Sequence, residues 1–424
     1  MGAILFIVYN TIVPFLIVLS FPLSLILPTK SFTPRLWLKR IFPDIKTFKD
    51  KTILFHCSSI GEINSVRTLI DYFKKSEPNT KIIITTFTET ANNIAKKITE
   101  YSYILPFDFY PIMKRFIKKA NPKIVFIAET EIWPSFIRIS SKKSKLYYIN
   151  ARISDKSFKF YKYLSPLIKY CFKNIEKIFV QDKEYYDKFS FFYDSKKIVI
   201  AGNTKYDLLD DDIKAKDLTE ILKKIDFLEK KLITFGSIHP DEIEIIIKSY
   251  KLIVNDINDI RYIIVPRHIE KTKEFEEIIK RHNLNYQKLS DIKQKEDRFK
   301  DFYDTQILLV DEVGSLLDFY SVSDICFVGG TLNKTGGHNL LEPSVFSKPV
   351  LFGPNYLSQE KSAKKLIEYG GGFIVNDEQD LKSRIKFLIS DKNYYLKASE
   401  NSKKALLSLK GATEKIKDRL NTIQ

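Results

Sequence analysis

Cysteine is scarce in this sequence, and its scarcity restricts the kinds of site that the chain can build. The 424 residues include only three cysteines, Cys57, Cys171 and Cys326, and these are far apart. An odd number at wide spacing predicts neither a disulfide framework nor a Cys-based zinc site. The pattern therefore favours a reducing compartment.

Charged residues are missing from the first 29 positions, where the sequence is mostly apolar. A helix of about 25 residues, rising about 1.5 Å per residue, would cross the hydrocarbon layer of a membrane. Pro14 and Pro22 would kink such a helix, so a shallow or tilted insertion is the alternative. A cleavable signal peptide is disfavoured, because no basic region precedes the apolar segment and no small-residue cleavage site follows it. Residues 1–29 are therefore predicted to form an uncleaved anchor.

Basic residues directly follow the predicted anchor, at Lys30, Arg35, Lys39 and Arg40. By the positive-inside rule they place the C-terminal side of the anchor in the cytoplasm. The whole chain carries a formal net charge of +17, which suits a nucleotide, a phospholipid surface or a phosphorylated substrate. A lysine-rich composition of the source would explain the same excess equally well.

Short apolar runs alternate with helical spacing along the rest of the chain, which predicts parallel sheets with crossover helices. With 424 residues, two domains are expected rather than a single core. Six runs in the first half are predicted to be buried strands: 52–57, 81–86, 124–128, 145–149, 177–180 and 198–200. Helical spacing lies between them at 65–75, 89–98, 111–119 and 157–172.

The same pattern restarts after a charge-rich stretch at 207–230. The predicted strands of the second half are 231–236, 261–265, 306–310, 325–328, 349–351 and 372–375, and a mostly helical segment follows at 393–420. These Rossmann-like halves give an N-terminal domain at 30–209 and a C-terminal domain at 210–424. Because parallel sheets bind ligands at the carboxyl ends of their strands, a cleft between the halves is expected.

The glycine fingerprint of dinucleotide-binding proteins is absent after the first predicted strand, which counts against a nicotinamide enzyme. The segment found there is His56-Cys57-Ser58-Ser59-Ile60-Gly61-Glu62. Its small residues allow a tight turn into a helix, where Glu62 could serve as general base toward a hydroxyl. Simple stabilisation of the helix N-terminus by Glu62 is the alternative, and composition alone favours it.

Charged residues also follow later strands of the first half. Glu129 and Glu131, close to Trp133, suit sugar binding or stabilisation of positive charge, although one acid could instead cap the next helix. Arg152 could equally hold an anion or bridge to a nearby acid. Lys205 would lie on the floor of the cleft, where its charge could neutralise phosphate.

The second half places small, basic and acidic residues at its strand ends. Ser237 and His239 follow the first strand of this half, and Arg267 follows the second. Gly329-Gly330-Thr331 and the block 336–343 follow the strand at 325–328, where glycines before a helix let backbone N–H groups converge on phosphate. Arg267 matches phosphate or a sugar carboxylate, and Glu342 could accept hydrogen bonds from ribose hydroxyls.

Eight sequence blocks resemble, in their order along the chain, the Kdo transferases of lipopolysaccharide biosynthesis. They are HCSSIGE, AETEIWP, NARIS, GNTKYD, GS-I-H, VPRH, FVGGT and GGHNLLEP. Kdo is 3-deoxy-D-manno-oct-2-ulosonic acid. The resemblance implies the α/β GT-B fold, with two Rossmann-like domains facing a central cleft. It also implies inverting transfer of Kdo from CMP-Kdo to the lipid A precursor lipid IVA, at the cytoplasmic face of the inner membrane. No metal, other cofactor or nucleic acid is expected to take part.

The resemblance also assigns roles to individual residues. Glu62 matches the family's general base, and Glu129 and Lys205 match residues that stabilise the transition state. Contacts to CMP are expected from Pro266, Arg267, Val313, Gly314, Ser315, Asn339, Leu340, Leu341 and Glu342. Further residues of the same blocks complete the predicted site: Ser58, Ser59, Glu131, Arg152, Ser237, His239, His268, Gly336, Gly337 and His338.

Three segments depart from the family pattern. Val313-Gly314-Ser315 stands where members usually have Met-Gly-Glu, and Pro240-Asp241-Glu242-Ile243 replaces an acidic, glycine-containing stretch. Residues 35–51 lack the usual glycine-containing basic pattern. Two other functions stay open: a GT-B transferase with a UDP donor, and a non-catalytic binding protein tethered to the membrane. No motif sets the number of Kdo residues added.

Overall fold

The computed structural model describes residues 1–26, 29, 33–209, 213, 215–294 and 304–421. Lys30, the first of the basic residues predicted to orient the anchor, lies outside these ranges. The chain divides into two compact units. Unit 1 contains Met1–Leu208 together with Leu409–Gln424, and unit 2 contains Leu209–Ser408.

Unit 1 is built on a sheet whose strands all run parallel. Within the described residues these are β1 Thr52–His56, β2 Lys81–Thr86, β3 Ser102–Ile104, β4 Pro122–Ala128, β5 Lys145–Ala151, β6 Lys177–Val180 and β7 Ile198–Ile200. Their order in the sheet is β3-β2-β1-β4-β5-β6-β7. The direction of strand addition reverses between β1 and β4, as in Rossmann folds.

Helices cover both faces of this sheet. They are α1 Gly2–Ile26, α2 Pro34–Ile41, α3 Ile60–Ser65, α4 Arg67–Ser76, α5 Glu89–Lys96, α6 Tyr110–Ala120, α7 Pro134–Lys143, α8 Asp155–Tyr163, α9 Ser165–Phe172 and α10 Lys183–Ser190. Leu54 of β1 packs in the core on one face, whereas its neighbours Ile53 and Phe55 pack in the core on the other. Because both faces are covered, the strands have continuous apolar runs rather than alternating ones.

Unit 2 repeats this plan with a second parallel sheet. Its strands, in the part of the chain that is described, are β8 Lys231–Ile238, β9 Ile260–Pro266, β10 Tyr286–Lys288, β11 Ile307–Leu309, β12 Ile325–Val328, β13 Val350–Phe352 and β14 Gly372–Ile374. The order is β10-β11-β9-β8-β12-β13-β14, so the reversal falls between β8 and β12. The predicted pair of Rossmann-like halves is confirmed.

The remaining helices follow in chain order. They are α11 Thr219–Lys224, α12 Ile243–Ile253, α13 Thr272–Arg281, α14 Leu289–Gln294, α15 Leu316–Val322, α16 Glu342–Val345, α17 Glu360–Tyr369, α18 Glu378–Ser390, α19 Lys392–Leu409 and α20 Ala412–Asn421. The C-terminal segment is helical, as predicted, but its last part does not stay with the second domain. Ile416 and Leu420 of α20 pack into the core of unit 1, so the predicted C-terminal domain 210–424 is too long at its end.

Two predicted helices are divided in the structure. The segment 157–172 forms α8 and α9, because Pro166 lacks an N–H and sits in the first turn of a new helix. The helix predicted at 65–75 begins earlier, as α3, because the Ser59 side chain caps it. The sequence patterns missed β3 and β10, which are three-residue strands at the sheet edges with little apolar signal.

Helix α1 is long and apolar enough to cross a membrane, and most of its surface is exposed. Polar side chains fix it to unit 1. Tyr9 donates a hydrogen bond to the buried carboxylate of Asp108 at 2.9 Å, and Asp108 also accepts from the Ser135 and Phe136 amides of α7. Asn10 accepts hydrogen bonds from the Tyr110 amide at 2.9 Å and from the Ser135 hydroxyl at 3.0 Å. The helix is therefore part of unit 1 rather than a separate tether.

Candidate active site

The reversal of strand order in unit 1 puts the loops after β1 and β4 beside each other. Ser58, Ser59 and Glu62 lie in the loop and helix after β1, and Glu129 and Glu131 follow β4. The carboxyl ends of parallel strands at such a reversal are where Rossmann-like sheets bind ligands. The structure thus brings these predicted residues together at one edge of the sheet.

Glu62 lies in the first turn of α3, where its carboxylate is held by the preceding loop. The Ser58 amide donates to Oε2 at 2.7 Å, and the Ser59 hydroxyl donates to Oε1 at 3.2 Å. Ser59 Oγ also accepts a hydrogen bond from the Glu62 amide. This is a capping arrangement, so the structural role considered for Glu62 is real. Each carboxylate oxygen has a further lone pair, so capping leaves room for proton transfer.

Burial sets the acidity of Glu62, whose residue is only 7% exposed. Burial raises the pKa of this carboxyl from 4.5 to about 7, and the nearby carboxylates of Glu131 and Glu129 add to the rise against the hydrogen bond from Ser58. A group with a pKa near 7 exchanges its proton readily at neutral pH. Glu62 therefore has the acidity that a general base needs.

Glu131 has the opposite electrostatic environment. Its carboxylate accepts a hydrogen bond from Trp133 Nε1 at 2.7 Å and lies 4.0 Å from His56 Nε2. Burial alone would raise the pKa of Glu131, but polar contacts with His56, Ser58 and Trp133 outweigh it and lower the pKa. Adjacent carboxyl groups with pKa values pushed apart are characteristic of acid–base sites.

His56 is a site residue that the sequence analysis missed. It is the last residue of β1 and is fully buried, with Nδ1 3.0 Å from Thr85 Oγ1 and Nε2 3.4 Å from Ser58 Oγ. It thus lies between the loop that holds Glu62 and the carboxylate of Glu131. A histidine directly after the apolar residues 53–55 of the strand was the available signal.

Arg152 pairs with Glu129, which decides between the two interpretations of this arginine. Arg152 Nη2 lies 2.6 Å and Nε 2.8 Å from Glu129 Oε2. Glu129 adopts a left-handed backbone with φ of 56°, which is uncommon outside glycine. Arg152 therefore bridges to an acid, and the pair fixes the Glu129 side chain beside the end of β4.

Lys205 is positioned by the residue before it. The Thr204 amide donates to Asn150 Oδ1 at 3.0 Å, and Asn150 Nδ2 donates to Thr204 Oγ1 at 2.8 Å, in a buried reciprocal pair. The Thr204 hydroxyl also donates to the Ser65 carbonyl of α3. These bonds tie the segment that carries Lys205 to the same helix as Glu62.

In unit 2, a buried carboxylate occupies the turn that was predicted to bind phosphate. Glu242 is fully buried and accepts hydrogen bonds from the amides of Gly330 at 2.8 Å, Thr331 at 3.1 Å and Leu332 at 3.0 Å. The His239 amide is a fourth donor, at 3.0 Å. The prediction that Gly329-Gly330-Thr331 presents its N–H groups to a ligand is therefore wrong, because Glu242 accepts from Gly330 and Thr331 and the Gly329 amide donates to the Gly236 carbonyl at 2.9 Å.

The later glycines of this block also bond within the protein. The Gly337 amide donates to the Gly330 carbonyl at 2.7 Å, and both Gly336 and Gly337 have positive φ angles. Ser237, with φ of 57°, packs against Gly329, where a Cβ would lie 2.5 Å from the Ser237 carbonyl oxygen. Close packing thus requires glycine at 329, and the positive φ angles favour glycine at 336 and 337.

Three predicted histidines meet at the ends of β8, β9 and β12. The rings of His239 and His338 are stacked, with their Nε2 atoms 2.8 Å apart, and His268 lies edge-on to His239 at 5.8 Å. Burial lowers the pKa of His338 to about 4, and the charge of Arg267 adds to the shift. Neutral imidazoles can donate and accept in turn, so the stacked pair forms one hydrogen bond.

Two buried hydroxyl groups of unit 2, just before and within α15, lack hydrogen-bond partners among the described residues. The Ser315 and Tyr320 hydroxyls are buried and find no hydrogen-bond partner in the described part of the chain. Burial raises the pKa of Glu342, while the hydrogen bond from Asn339 and the charge of Arg267 oppose the rise. Buried polar groups are usually satisfied, so unpaired ones at a strand-end site suit a polar ligand.

The other residues predicted to contact CMP differ in how exposed they are to a ligand. Leu340 and Leu341 are fully buried core residues, so a ligand could meet only their backbone. Val313 is 81% exposed and precedes Gly314, whose φ is 98°. Pro266 ends β9 and leads into the exposed Arg267. Among the residues that the structure describes, no group of three His, Cys, Asp or Glu side chains is placed to hold a metal ion.

Comparisons with known proteins agree with one another on the family. Residues 34–208 match the family described as 3-deoxy-D-manno-octulosonic-acid transferase (kdotransferase). A 3-deoxy-D-manno-octulosonic acid transferase from Rickettsia felis is 30% identical over 84% of this chain and 77% of that protein. A bifunctional glycosyltransferase/methyltransferase from Fusobacterium nucleatum is 33% identical over 84% of this chain, which spans 55% of that protein.

A solved structure shares the fold. UDP-GlcNAc 2-epimerase from Neisseria meningitidis, bound to UDP-GlcNAc, is similar with a TM-score of 0.58 and 14% identity, over 88% of this chain and 100% of that one. At this identity the likeness shows the fold alone, which is the predicted GT-B class of two Rossmann-like domains.

Replacing Glu242 by glutamine should destabilise unit 2. Glutamine offers one acceptor oxygen instead of two, so at least one buried amide would lose its partner, at a cost of about 2 kcal/mol or more. Hydrogen exchange followed by mass spectrometry should show faster exchange in β8 and β12. Trp37 and Trp133, the only tryptophans, both belong to unit 1 and should report an unchanged unfolding transition. Unchanged exchange, equal to that of an exposed control Glu277→Gln, would contradict this role.

The stability of unit 1 should fall as pH rises from about 4.5 to above 7. The pKa of the Glu62 carboxyl is higher in the folded state than in the unfolded state. Its contribution to the free energy of unfolding is therefore complete below pH 4.5 and is lost above pH 7. The loss should be on the order of 3 kcal/mol relative to Glu62→Gln, measured by denaturant unfolding with tryptophan fluorescence. Asp108, whose pKa is also about 7, is present in both proteins and cancels in the difference. Parallel pH profiles for the two proteins would disprove the shift.

Proposed function

The chain belongs to the 3-deoxy-D-manno-octulosonic-acid transferase family and is a glycosyltransferase, and from this premise we propose that it transfers Kdo from CMP-Kdo to lipid IVA. Kdo transfer in lipopolysaccharide biosynthesis is the family's activity. The donor, the acceptor, the inverting course and the catalytic residues are the parts of this proposal that need testing.

The observation that carries the proposal is the carboxyl group of Glu62. It is buried, held by the Ser58 amide and the Ser59 hydroxyl, and has a pKa of about 7. It also lies at the strand ends where a Rossmann-like sheet binds its substrates. A group with these properties can remove a proton from an acceptor hydroxyl at neutral pH.

The proposed step is a direct displacement. The acceptor hydroxyl gives its proton to Glu62 as its oxygen forms a bond to the anomeric carbon of Kdo. The bond from that carbon to the phosphate oxygen of CMP breaks, and CMP leaves with the bonding electrons. Attack from the face opposite CMP inverts the anomeric configuration, by the logic of inverting glycosidases with an alcohol in place of water.

Charge develops on both sides of the breaking bond in this step. Positive charge on the sugar would be stabilised by Glu129, whose side chain is fixed by Arg152. Negative charge on the departing phosphate would be stabilised by Lys205 and Arg267. No metal ion or other cofactor is included in the proposal.

We assign CMP to unit 2. Arg267 supplies a cation, and the unpaired Ser315 and Tyr320 hydroxyls supply buried polar groups. Glu342 accepts a hydrogen bond from Asn339 Nδ2 at 3.2 Å, and it could accept further hydrogen bonds from the ribose. The acceptor is lipid, and the apolar helix α1 agrees with a place at the inner membrane, with the catalytic units on the cytoplasmic face.

Replacing Glu62 by glutamine should lower kcat about 10²–10⁴-fold, because the general base is lost. The assay combines purified protein, lipid IVA and a CMP-Kdo supply, with products counted by mass spectrometry. Wild-type activity should rise with pH through about 7, and the variant should lack this rise. Glu89→Gln, at the N-terminus of α5 in the same unit, is the matched control and should keep full activity. Full activity in the Glu62 variant would rule out the assigned base.

Replacing Arg267 by glutamine should lower kcat/KM for CMP-Kdo about 10- to 100-fold through loss of a charge-assisted contact to the donor. Lys271→Gln, an exposed cation close by in the chain, should have little effect.

A panel of UDP-sugars tests the alternative donor class. Turnover with a UDP-sugar but none with CMP-Kdo would replace the proposed donor, and turnover with neither would favour a binding protein.

A further inference from the structure

Helix α1 contacts unit 1 along most of its length. At its start, Gly2 packs so closely on the Pro166 carbonyl of α9 that a Cβ would overlap it. Phe6 packs against Tyr170, with ring centroids 5.7 Å apart, and Tyr9 donates to Asp108. The first half of α1 is therefore held by α9 and by the loops around α6 and α7.

The second half of α1 is held through α2. Trp37 Nε1 lies 3.0 Å from Ser20 Oγ, and its ring packs on Phe21 with centroids 4.7 Å apart. Trp37 also packs edge-on to Phe107. Arg40 of the same helix donates to the Phe87 carbonyl at 2.6 Å and stacks on the Phe87 ring. These contacts fix the far end of α1 to the same globular unit as its start.

The contacts from Gly2 to Phe21 extend over roughly 28 Å of helix, at about 1.5 Å per residue. That is close to the roughly 30 Å thickness of the hydrocarbon layer. If α1 crossed the layer in this position, the surface of unit 1 beside it would enter the hydrocarbon too. That surface carries Arg138 and Lys142, and charged side chains at that depth are costly. Crossing and the observed packing therefore exclude each other.

The opposite side of α1 is exposed and apolar. Ile4, Ile7, Phe15, Leu16, Leu19 and Leu23 are each at least half exposed. Leu38 and Phe42, in and after α2, extend the same kind of surface, at 48% and 70% exposure. Exposed apolar patches of this extent mark contact with a partner or a membrane.

Cations lie at the edge of this apolar surface, in a cavity of about 400 Å³ that α1 forms with α6, α7 and α9, and the exposed Ile7 borders both. Arg138 lines the cavity and is stacked over the Tyr170 ring at 4.3 Å, yet its Nε and Nη1 find no acceptor among the described residues. Lys142, one turn further along α7, also lines it. Within the described chain, no Asp or Glu does so. Unpaired cations beside an apolar surface complement anionic lipid headgroups.

From these contacts we propose that α1 lies in the plane of one membrane leaflet and does not cross the bilayer. Its exposed apolar side enters the acyl region, and the cavity with Arg138 and Lys142 receives lipid phosphate. The partner is thus an anionic phospholipid surface, and both ends of α1 stay on the side of the globular units. This inference does not depend on the proposed reaction. It selects the shallow insertion over the spanning anchor among the sequence-based alternatives.

Single cysteines at the two ends of α1 test the proposal in full-length protein. Ala3→Cys and Thr29→Cys, the second at an exposed polar residue just after α1, are reconstituted in vesicles of phosphatidylcholine and phosphatidylglycerol with the globular units outside, and treated with a membrane-impermeant maleimide. The native cysteines are fully buried, so background labelling should be low. Lys156→Cys, on the surface of α8, defines full labelling from outside.

Both end positions should be labelled from outside to within about twofold of the Lys156→Cys control, with no gain after detergent lysis. A spanning helix would place one end inside the vesicle, where labelling appears only after lysis. A requirement for lysis at either position would overturn the proposal. Tryptophan fluorescence of each variant checks that unit 1 is folded.

Discussion

A carboxylate buried at the start of a helix has to find hydrogen-bond donors, and this demand shapes both units of the chain. In each unit the first helix after the first strand carries a glutamate, Glu62 in α3 and Glu242 beside α12. Glu242 has four backbone amides and no exposure, which makes it an internal part of the fold. Glu62 is buried with only one amide and one hydroxyl as donors, and its burial raises the pKa of the carboxyl to about 7 against these two hydrogen bonds. The same position thus carries a fully hydrogen-bonded carboxylate in unit 2 and a carboxyl with a raised pKa in unit 1.

The surroundings of Glu62 keep its carboxyl distinct from the acids nearby. Glu131 is stabilised by Trp133 and polar contacts to His56, and Glu129 by Arg152. Each neighbour therefore has its own partner, whereas the donors of Glu62 come from the loop just before it, at Ser58 and Ser59. The pKa of Glu62 is raised to about 7 whereas that of Glu131 is lowered, so two carboxyl groups at one strand edge have acidities pushed apart.

The sequence predicts the local features of this molecule better than the distant ones. Apolar runs located most strands to within a residue or two, because both faces of each sheet are buried. The loop after β1 could be predicted as a candidate site, because polar residues at a strand's carboxyl end are visible in the sequence, and the structure places Glu62 there beside Glu129 and Glu131. The role of Glu242 was not visible, since its donors lie some 90 positions away in the chain. The contacts of His56 and the Arg152–Glu129 ion pair were likewise not visible, because they join residues that only the folding of the sheet brings together.

Helix α20 comes last in the sequence but packs in unit 1, so unit 1 is built from two separate segments of the chain. Ile416 and Leu420 fill positions in a core otherwise built from residues before 208, and Asp207 accepts hydrogen bonds from the Gly411 and Thr413 amides. The polypeptide consequently passes from one unit to the other twice. A fragment cut after residue 208 would lack part of its own interior, so genetic dissection of the first unit requires the last 16 residues to be fused back or supplied in trans.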